Sequence, residues 1–168
     1  NSMAMLGRNV IYIQKWPWDN DNDWWEIIGR KEMEVDYAEF LEERSKLASV
    51  VAAYTENYVA VRFEDKLIEN VGLNGATSNF LNIQGLDITS GRMFTENEVC
   101  SANKVAIIGV SIKDEFFENI DPLGKQVRIG GQKFTVIGVL EKQGNFLGLG
   151  DADNRVIVPI DAYGQIYG

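Results

Sequence analysis

The 168-residue chain contains no histidine, one cysteine and only three prolines. Without histidine there is no Ser-His-Asp or Cys-His catalysis, and the commonest ligand of catalytic zinc is missing. The lone Cys100 excludes an internal disulfide and any multi-cysteine metal site, and it reads as a structural or incidental thiol. Positive charge is also scarce, with 16 Lys and Arg against 25 Asp and Glu, a net charge of −9. Phosphate binding needs clustered Lys and Arg, so no nucleic-acid partner is expected, and docking onto anionic lipid is disfavoured. No run approaches the roughly 20 apolar residues that cross a bilayer. Asn1–Arg8 lacks the basic start and long apolar run of a signal peptide. If the parent protein is exported or membrane-bound, its targeting segment is expected outside this chain.

What is present suits a chain that folds around a core. Hydrophobic residues make up 45% and charged residues 24%, and the length fits one domain or two small lobes. Val10–Gln14 reads as a buried strand, and the Trp-, Asp- and Asn-rich Lys15–Gly29 as a loop. Asp36–Ala48 is the clearest helix: Asp36 is its expected cap, Glu39 completes a capping box, and Val35 with Phe40 forms a staple. Tyr37, Phe40, Leu41 and Leu47 give it an expected core-facing side. Val50–Tyr54, Tyr58–Phe63 and Leu67–Leu73 read as strands, with a turn at Glu64-Asp65-Lys66. Ser78–Ile83 reads as a short helix. Thr95 and Glu98 repeat the helix-start grammar, with Phe94 and Val99 as the staple.

Lys104–Ile108 is then a buried strand, and Ser111 the expected cap of a helix carrying Phe116, Phe117 and Ile120. Pro122 and Gly124 stop it. Gln126–Ile129 and Gln132–Leu140 flank Gly130-Gly131, a two-residue hairpin signal. A Gly-rich loop, Gly144–Gly150, leads to a strand at Arg155–Val158, and Pro159 precedes a last helix start at Asp161. Strands and helices mix without a regular βαβ repeat, so the fold class is α+β.

No constellation rises to a catalytic site, and no catalytic residue is assigned. Asp19, Asp21 and Asp23 alternate like the first ligands of an EF-hand loop, but Trp24 stands where the turn needs Gly and Arg30 where a bidentate Glu belongs. A solvated acidic loop tip is the main reading, irregular calcium binding the alternative, and no metal ligand is assigned. Trp16, Trp18, Trp24 and Trp25 are the candidate partner-binding residues, because Trp is enriched at binding hot spots. Capping an exposed end of the core, or lying at a membrane interface, are the alternatives. Gly144–Gly150 has no Gly-Lys-Ser/Thr ending and leads to a strand, so it reads as a connector rather than a phosphate loop. Carboxylate pairs such as Asp114 with Glu115 or Asp151 with Asp153 read as solvated faces.

Four elements follow in order within Gly85–Leu140: Gly91-Arg92-Met93-Phe94, Val105-Ala106-Ile107-Ile108-Gly109, Asp121-Pro122-Leu123-Gly124-Lys125, and Phe134-Thr135-Val136-Ile137-Gly138-Val139. Leu6-Gly7-Arg8-Asn9-Val10-Ile11 precedes them, and Asp153-Asn154-Arg155-Val156-Ile157-Val158-Pro159-Ile160 closes the set. In this order and spacing the chain resembles the extracytoplasmic core domain of MacB/FtsX-type ABC transporter permeases; the Lys15–Gly29 segment departs from the common pattern. The resemblance implies a two-lobed domain on the periplasmic side of the inner membrane. Residues 1–77 and 145–168 would form a discontinuous membrane-proximal lobe and residues 78–144 an inserted lobe, with both termini facing the bilayer. It implies flanking transmembrane helices, a dimeric transporter (homodimer or heterodimer), an adaptor or envelope protein as partner, and ATP on a separate ATPase subunit or domain, with no cofactor here. The domain would be no enzyme. It would pass ATP-driven motion to substrate or partner proteins, with Gly144, Gly148 and Gly150 as the hinge candidate because glycine permits large backbone changes. The competing reading is a stand-alone extracytoplasmic module that binds glycan or peptide through the Trp-rich loop.

Overall fold

Gly130-Gly131 makes the hairpin its sequence signals. Both glycines have positive φ, 55° and 81°, the backbone of a type I′ turn that matches strand twist. The strands it joins are Gln126–Ile129 and Gln132–Leu140. The computed structural model describes residues 10–15, 28–29, 31, 33–143 and 153–167. It contains two compact units, residues 1–51 and residues 52–168.

In the second unit the strands are β1 (Tyr54–Phe63), β2 (Lys66–Ala76), β3 (Ile88–Gly91), β4 (Val105–Ile108), β5 (Gln126–Ile129), β6 (Gln132–Leu140) and β7 (Arg155–Pro159). They form one sheet in the order β3-β6-β4-β7-β2-β1-β5, and β5 also pairs with β6, so six of the seven strands close on themselves. Most neighbours are antiparallel, while β2–β7 and β4–β6 are parallel. The helices are α1 (Asp36–Arg44) in the first unit, then α2 (Phe80–Gln84), α3 (Glu96–Cys100), α4 (Val110–Phe117) and α5 (Ile160–Tyr167) in the second. This mixed content is the α+β class expected. The division expected at residue 78 runs through the sheet: β1, β2 and β7 come from one side of it and β3 to β6 from the other.

The core is made by strand alternation. Val61, Phe63, Val71, Leu73, Val127, Ile129, Phe134 and Val136 face inward, and α4 lays Ile112, Phe116 and Phe117 on them. Phe63 lies 4.4 Å from Phe117 and 5.9 Å from Phe116, centroid to centroid, in tilted geometry. Offset aromatic pairs of this kind add to the burial that drives folding. Helix α5 comes close to β2 where Gly75 has no side chain, since a Cβ there would lie 2.6 Å from Tyr163.

Several expected elements differ. Val10–Gln14 forms no strand, and its Ile11 is 87% exposed. The two strands expected at Val50–Tyr54 and Tyr58–Phe63 are one strand from Tyr54, because the polar stretch Thr55–Asn57 pairs in register with Gly75–Leu73 of β2. Register outweighs the low strand preference of its residues. Helix α1 begins after Val35, which is itself helical, so Asp36 lies in the first turn and no side chain caps the helix. It ends at Arg44 rather than Ala48, because Ser45 turns extended and its hydroxyl accepts from the N–H groups of Leu47 and Ala48. None of its residues is buried, and Leu47 is 97% exposed, so the expected core-facing side is solvent-facing or half-buried. Gly109, not Ser111, is the N-cap of α4. Its N–H donates to Arg155 O and that of Ser111 to Asp153 O, which fixes the start of the helix against β7. Ile120 lies beyond the helix and is exposed.

Candidate functional site

Strand β6 is where the motifs converge. Its upper half pairs with β3 (Gly91 opposite Gly138), its middle with β4 (Ala106 opposite Val136), and its lower half with β5. The turn at 121–125 joins the same strand: Gly124 N–H donates to Val136 O at 2.8 Å, and Val136 N–H donates to Lys125 O at 2.8 Å. Asp121 shapes that turn by accepting from Leu123 N–H at 3.0 Å. All four sequence elements within Gly85–Leu140 therefore meet on one strand.

Two glycines make the β3–β6 approach possible. Gly91 has φ +82°, and a Cβ on it would run into Ile137 O. A Cβ on Gly138 would lie 2.7 Å from Arg92 O. Such close backbone approach excludes any larger residue. Arg92 N–H then donates to Ile137 O at 2.9 Å, which sets the start of its side chain.

That side chain reaches the first turn of α3. Its two terminal nitrogens donate to Glu98 Oε2 at 2.8 Å and Oε1 at 2.9 Å, a forked pair. Glu98 also accepts from Thr95 N–H at 2.8 Å and from the Thr95 hydroxyl at 3.1 Å, while Thr95 Oγ1 accepts from Glu98 N–H. The capping box read from the sequence is present, with Arg92 added to it. The Arg92 fork, and then Thr95, hold the Glu98 carboxyl down at about 2, against the opposing pull of burial. Through Arg92, whose own N–H is bonded to Ile137 O of β6, Glu98 ties α3 to the β3–β6 crossing.

A second fixture closes the segment between β6 and β7. Asp153 is buried, and its carboxylate accepts from Gln143 N–H at 2.7 Å. Its backbone lies so close to Gly109 that a Cβ there would run into Asp153 O. Residues 143 and 153 are thereby held together. The hinge candidates Gly144, Gly148 and Gly150 fall between them and lie outside the described residues, as do Trp16, Trp18, Trp24 and Trp25 and the Asp19, Asp21 and Asp23 alternation. Among the described residues no three His, Cys, Asp or Glu side chains gather as metal ligands, and no helix is long and apolar enough to cross a membrane.

Sequence reading did not find the Arg92–Glu98 fork, although both residues stood inside quoted motifs. It also missed a cationic row on the sheet's outer face, Arg62, Arg128 and Lys133, which lines an open groove of about 380 Å³ with Glu64, Asp65 and Gln126. The hairpin register alone would have placed Arg128 opposite Lys133. The approach of Arg62 depends on a strand more than 60 residues away and carried no local signal.

The model of the MacB-like periplasmic core domain matches residues 1–168. The chain belongs to that family. Among curated relatives, the macrolide export ATP-binding/permease protein MacB of Syntrophobacter fumaroxidans is 39% identical over 89 residues, 52% of this chain and 12% of that protein. The ABC transporter permease YknZ of Bacillus subtilis is 38% identical over 96 residues, 57% of this chain and 24% of its own length. The fold matches the crystal structure of the periplasmic region of MacB from Actinobacillus actinomycetemcomitans with a TM-score of 0.72, over 83% of this chain and 61% of that one, at 24% identity. The extracellular domain of YknZ matches with a TM-score of 0.60 at 28% identity, over 70% of this chain and 57% of that one. The matched stretch thus spans a quarter or less of these curated relatives, and the chain is the extracytoplasmic core domain of a MacB-like ABC transporter permease.

Proposed function

We propose that this domain receives ATP-driven motion from membrane helices flanking it in its parent polypeptide and delivers that motion to substrate or partner proteins outside the membrane. One observation carries the reading. The chain enters the sheet through β1 and β2 and leaves it through β7 and α5, and β2 and β7 run parallel with Gly72–Ala76 paired to Arg155–Pro159. A displacement applied from either flank reaches the same central strand pair. Because β7 pairs with β4 and β4 with β6, the displacement continues through hydrogen-bonded backbone to β3.

In this reading ATP binds a separate ATPase subunit or domain, supported by relatives named as ATP-binding/permease proteins. The parent transporter is a homodimer or heterodimer in the inner membrane with this domain on the periplasmic side. The domain performs no chemistry itself. An adaptor or envelope protein is the proposed partner, with Trp16, Trp18, Trp24 and Trp25 as contact residues on the strength of their side-chain type. The hinge is proposed at Gly144–Gly150, since glycine backbone is permissive and Gln143 and Asp153, which flank the segment, are hydrogen-bonded to each other.

Hydrogen exchange on the intact transporter, with and without ATP, tests this. Amides of β2, β7 and β4 are expected to stay equally protected in both states, with nucleotide-dependent change confined to the segment between Gln143 and Asp153. A segment uniformly protected in both states rejects the hinge, and nucleotide-dependent opening of the β2–β7 ladder rejects the rigid relay.

A further inference from the structure

The closure of the sheet places three cations side by side. Arg62 of β1 stands directly opposite Arg128 of β5, and Arg128 directly opposite Lys133 of β6. Arg62 and Arg128 each stand between two buried residues, Lys133 precedes buried Phe134, and all three are exposed on the outer face. Like charges on directly opposite residues oppose strand pairing, and this chain has nine more acidic than basic residues from which to neutralise them. Yet among the described residues the ion pairs are Lys31–Glu34, Arg92–Glu98 and Lys113–Asp114, and none engages the row. The groove they line carries its own carboxylates only at one end, in the Glu64-Asp65 turn. Beside Arg62, on the far side from Arg128, stands Leu67, half exposed.

We propose that this face docks an extended acidic segment of a partner protein. Adjacent strands are about 4.8 Å apart, so the row from Arg62 to Lys133 spans about 10 Å. Carboxylates at alternate positions of an extended peptide lie about 7 Å apart on one side and fall within that span. The guanidinium forks of Arg62 and Arg128 suit carboxylates in two-point geometry. Glu64 and Asp65 set the polarity, because the end of the peptide over that turn must be neutral or basic. Leu67 gives an apolar residue of the peptide a place beside Arg62. The overall charge of −9 repels every anionic partner in proportion to that partner's own charge, so it weighs more against a lipid surface or a nucleic acid than against a peptide carrying a few carboxylates.

The test uses the 168-residue chain and a fluorescein-labelled decapeptide with Glu at three alternate positions and Leu at one end, followed by anisotropy. Binding is expected to weaken steeply with salt. The Arg62→Gln/Arg128→Gln double variant is expected to bind at least tenfold more weakly, while Lys104→Gln, on an exposed residue outside the groove, leaves affinity unchanged. Circular dichroism melts of the variants check that the sheet is intact, and relief of the like-charge row predicts an equal or higher melting temperature. Equal peptide binding by wild type and double variant overturns the proposal. So does preferential binding of vesicles containing phosphatidylserine, or a self-association in sedimentation that the double variant abolishes.

Discussion

The two units of the chain begin helices with the same grammar, and only one of them completes it. Asp36 and Glu39 in the first unit repeat the spacing of Thr95 and Glu98 in the second. Thr95 is extended, at φ −86° and ψ 164°, and its box closes. Val35 is already helical, so Asp36 is carried into the first turn and caps nothing. The same contrast extends to packing, since the described core lies in residues 52–168 while α1 buries no side chain. A capping sequence proposes a helix start, and the neighbouring backbone decides whether the cap forms.

The largest test of that contrast is a matched pair of truncations. Phe117 is fully buried between Phe63 and Phe116, so Phe117→Ala is expected to cost about 3–5 kcal/mol. Phe40 is 54% exposed, and Phe40→Ala should stay within about 0.5 kcal/mol. Urea denaturation of the whole chain measures both. Similar losses at the two positions would mean that α1 contributes to stability as the core does, and the contrast would collapse.

Glycines sharpen it next. Gly91→Ala meets both a left-handed φ and the carbonyl of Ile137, so it should lose about 1–3 kcal/mol from backbone strain alone. Gly29 has an ordinary φ and open space around it, so Gly29→Ala should be neutral or stabilise by up to about 1 kcal/mol through the unfolded chain. Melting temperatures of the two variants separate these outcomes, and a stable Gly91→Ala would show that β3 can leave β6 without cost.

What could be read from the sequence follows the same division. The Gly130-Gly131 hairpin and the Thr95 cap were legible because each is written in contiguous residues and satisfied within them, and the strands at Val105–Ile108 and β7 because each is a contiguous apolar run that distant strands then accept. The β1 strand was misjudged because Thr55–Asn57 are held by partners some 20 residues away. The start of α4 was misplaced because Asp153 and Arg155, more than 40 residues later, supply the carbonyls that fix Gly109 and Ser111. Val10–Gln14 failed for the opposite reason: an apolar run forms a strand only when another strand accepts its hydrogen bonds, and apolar content does not name a partner. At the site, glycine and arginine positions were visible, while the Arg92–Glu98 fork and the Arg62–Arg128 pairing arise from the fold.

The smallest expected effect probes the cap itself. Thr95→Ala removes the acceptor for Glu98 N–H and one donor to its carboxylate, and should cost about 1 kcal/mol, whereas Asp36→Ala should stay within about 0.5 kcal/mol. The pH dependence adds a signature that simple loss of packing does not give. Glu98 titrates near 2 in the folded chain against an ordinary value of 4.5, held down first by Arg92 and then by Thr95. The unfolded chain therefore takes up the proton first as pH falls, so the contribution of Glu98 is complete above pH 4.5 and disappears between 4.5 and 2. Arg92 is 55% exposed and solvent screens the pair, so the contribution at neutral pH should be about 1 kcal/mol rather than the larger figure the shift alone implies. Wild type and Glu98→Gln should then differ by that amount at pH 6 and converge as pH approaches 2, measured as urea midpoints across the range. A difference that persists unchanged at pH 2 would locate the role of Glu98 in side-chain packing, and the box at Thr95 would lose its claim to be the charged counterpart that Asp36 and Glu39 fail to form.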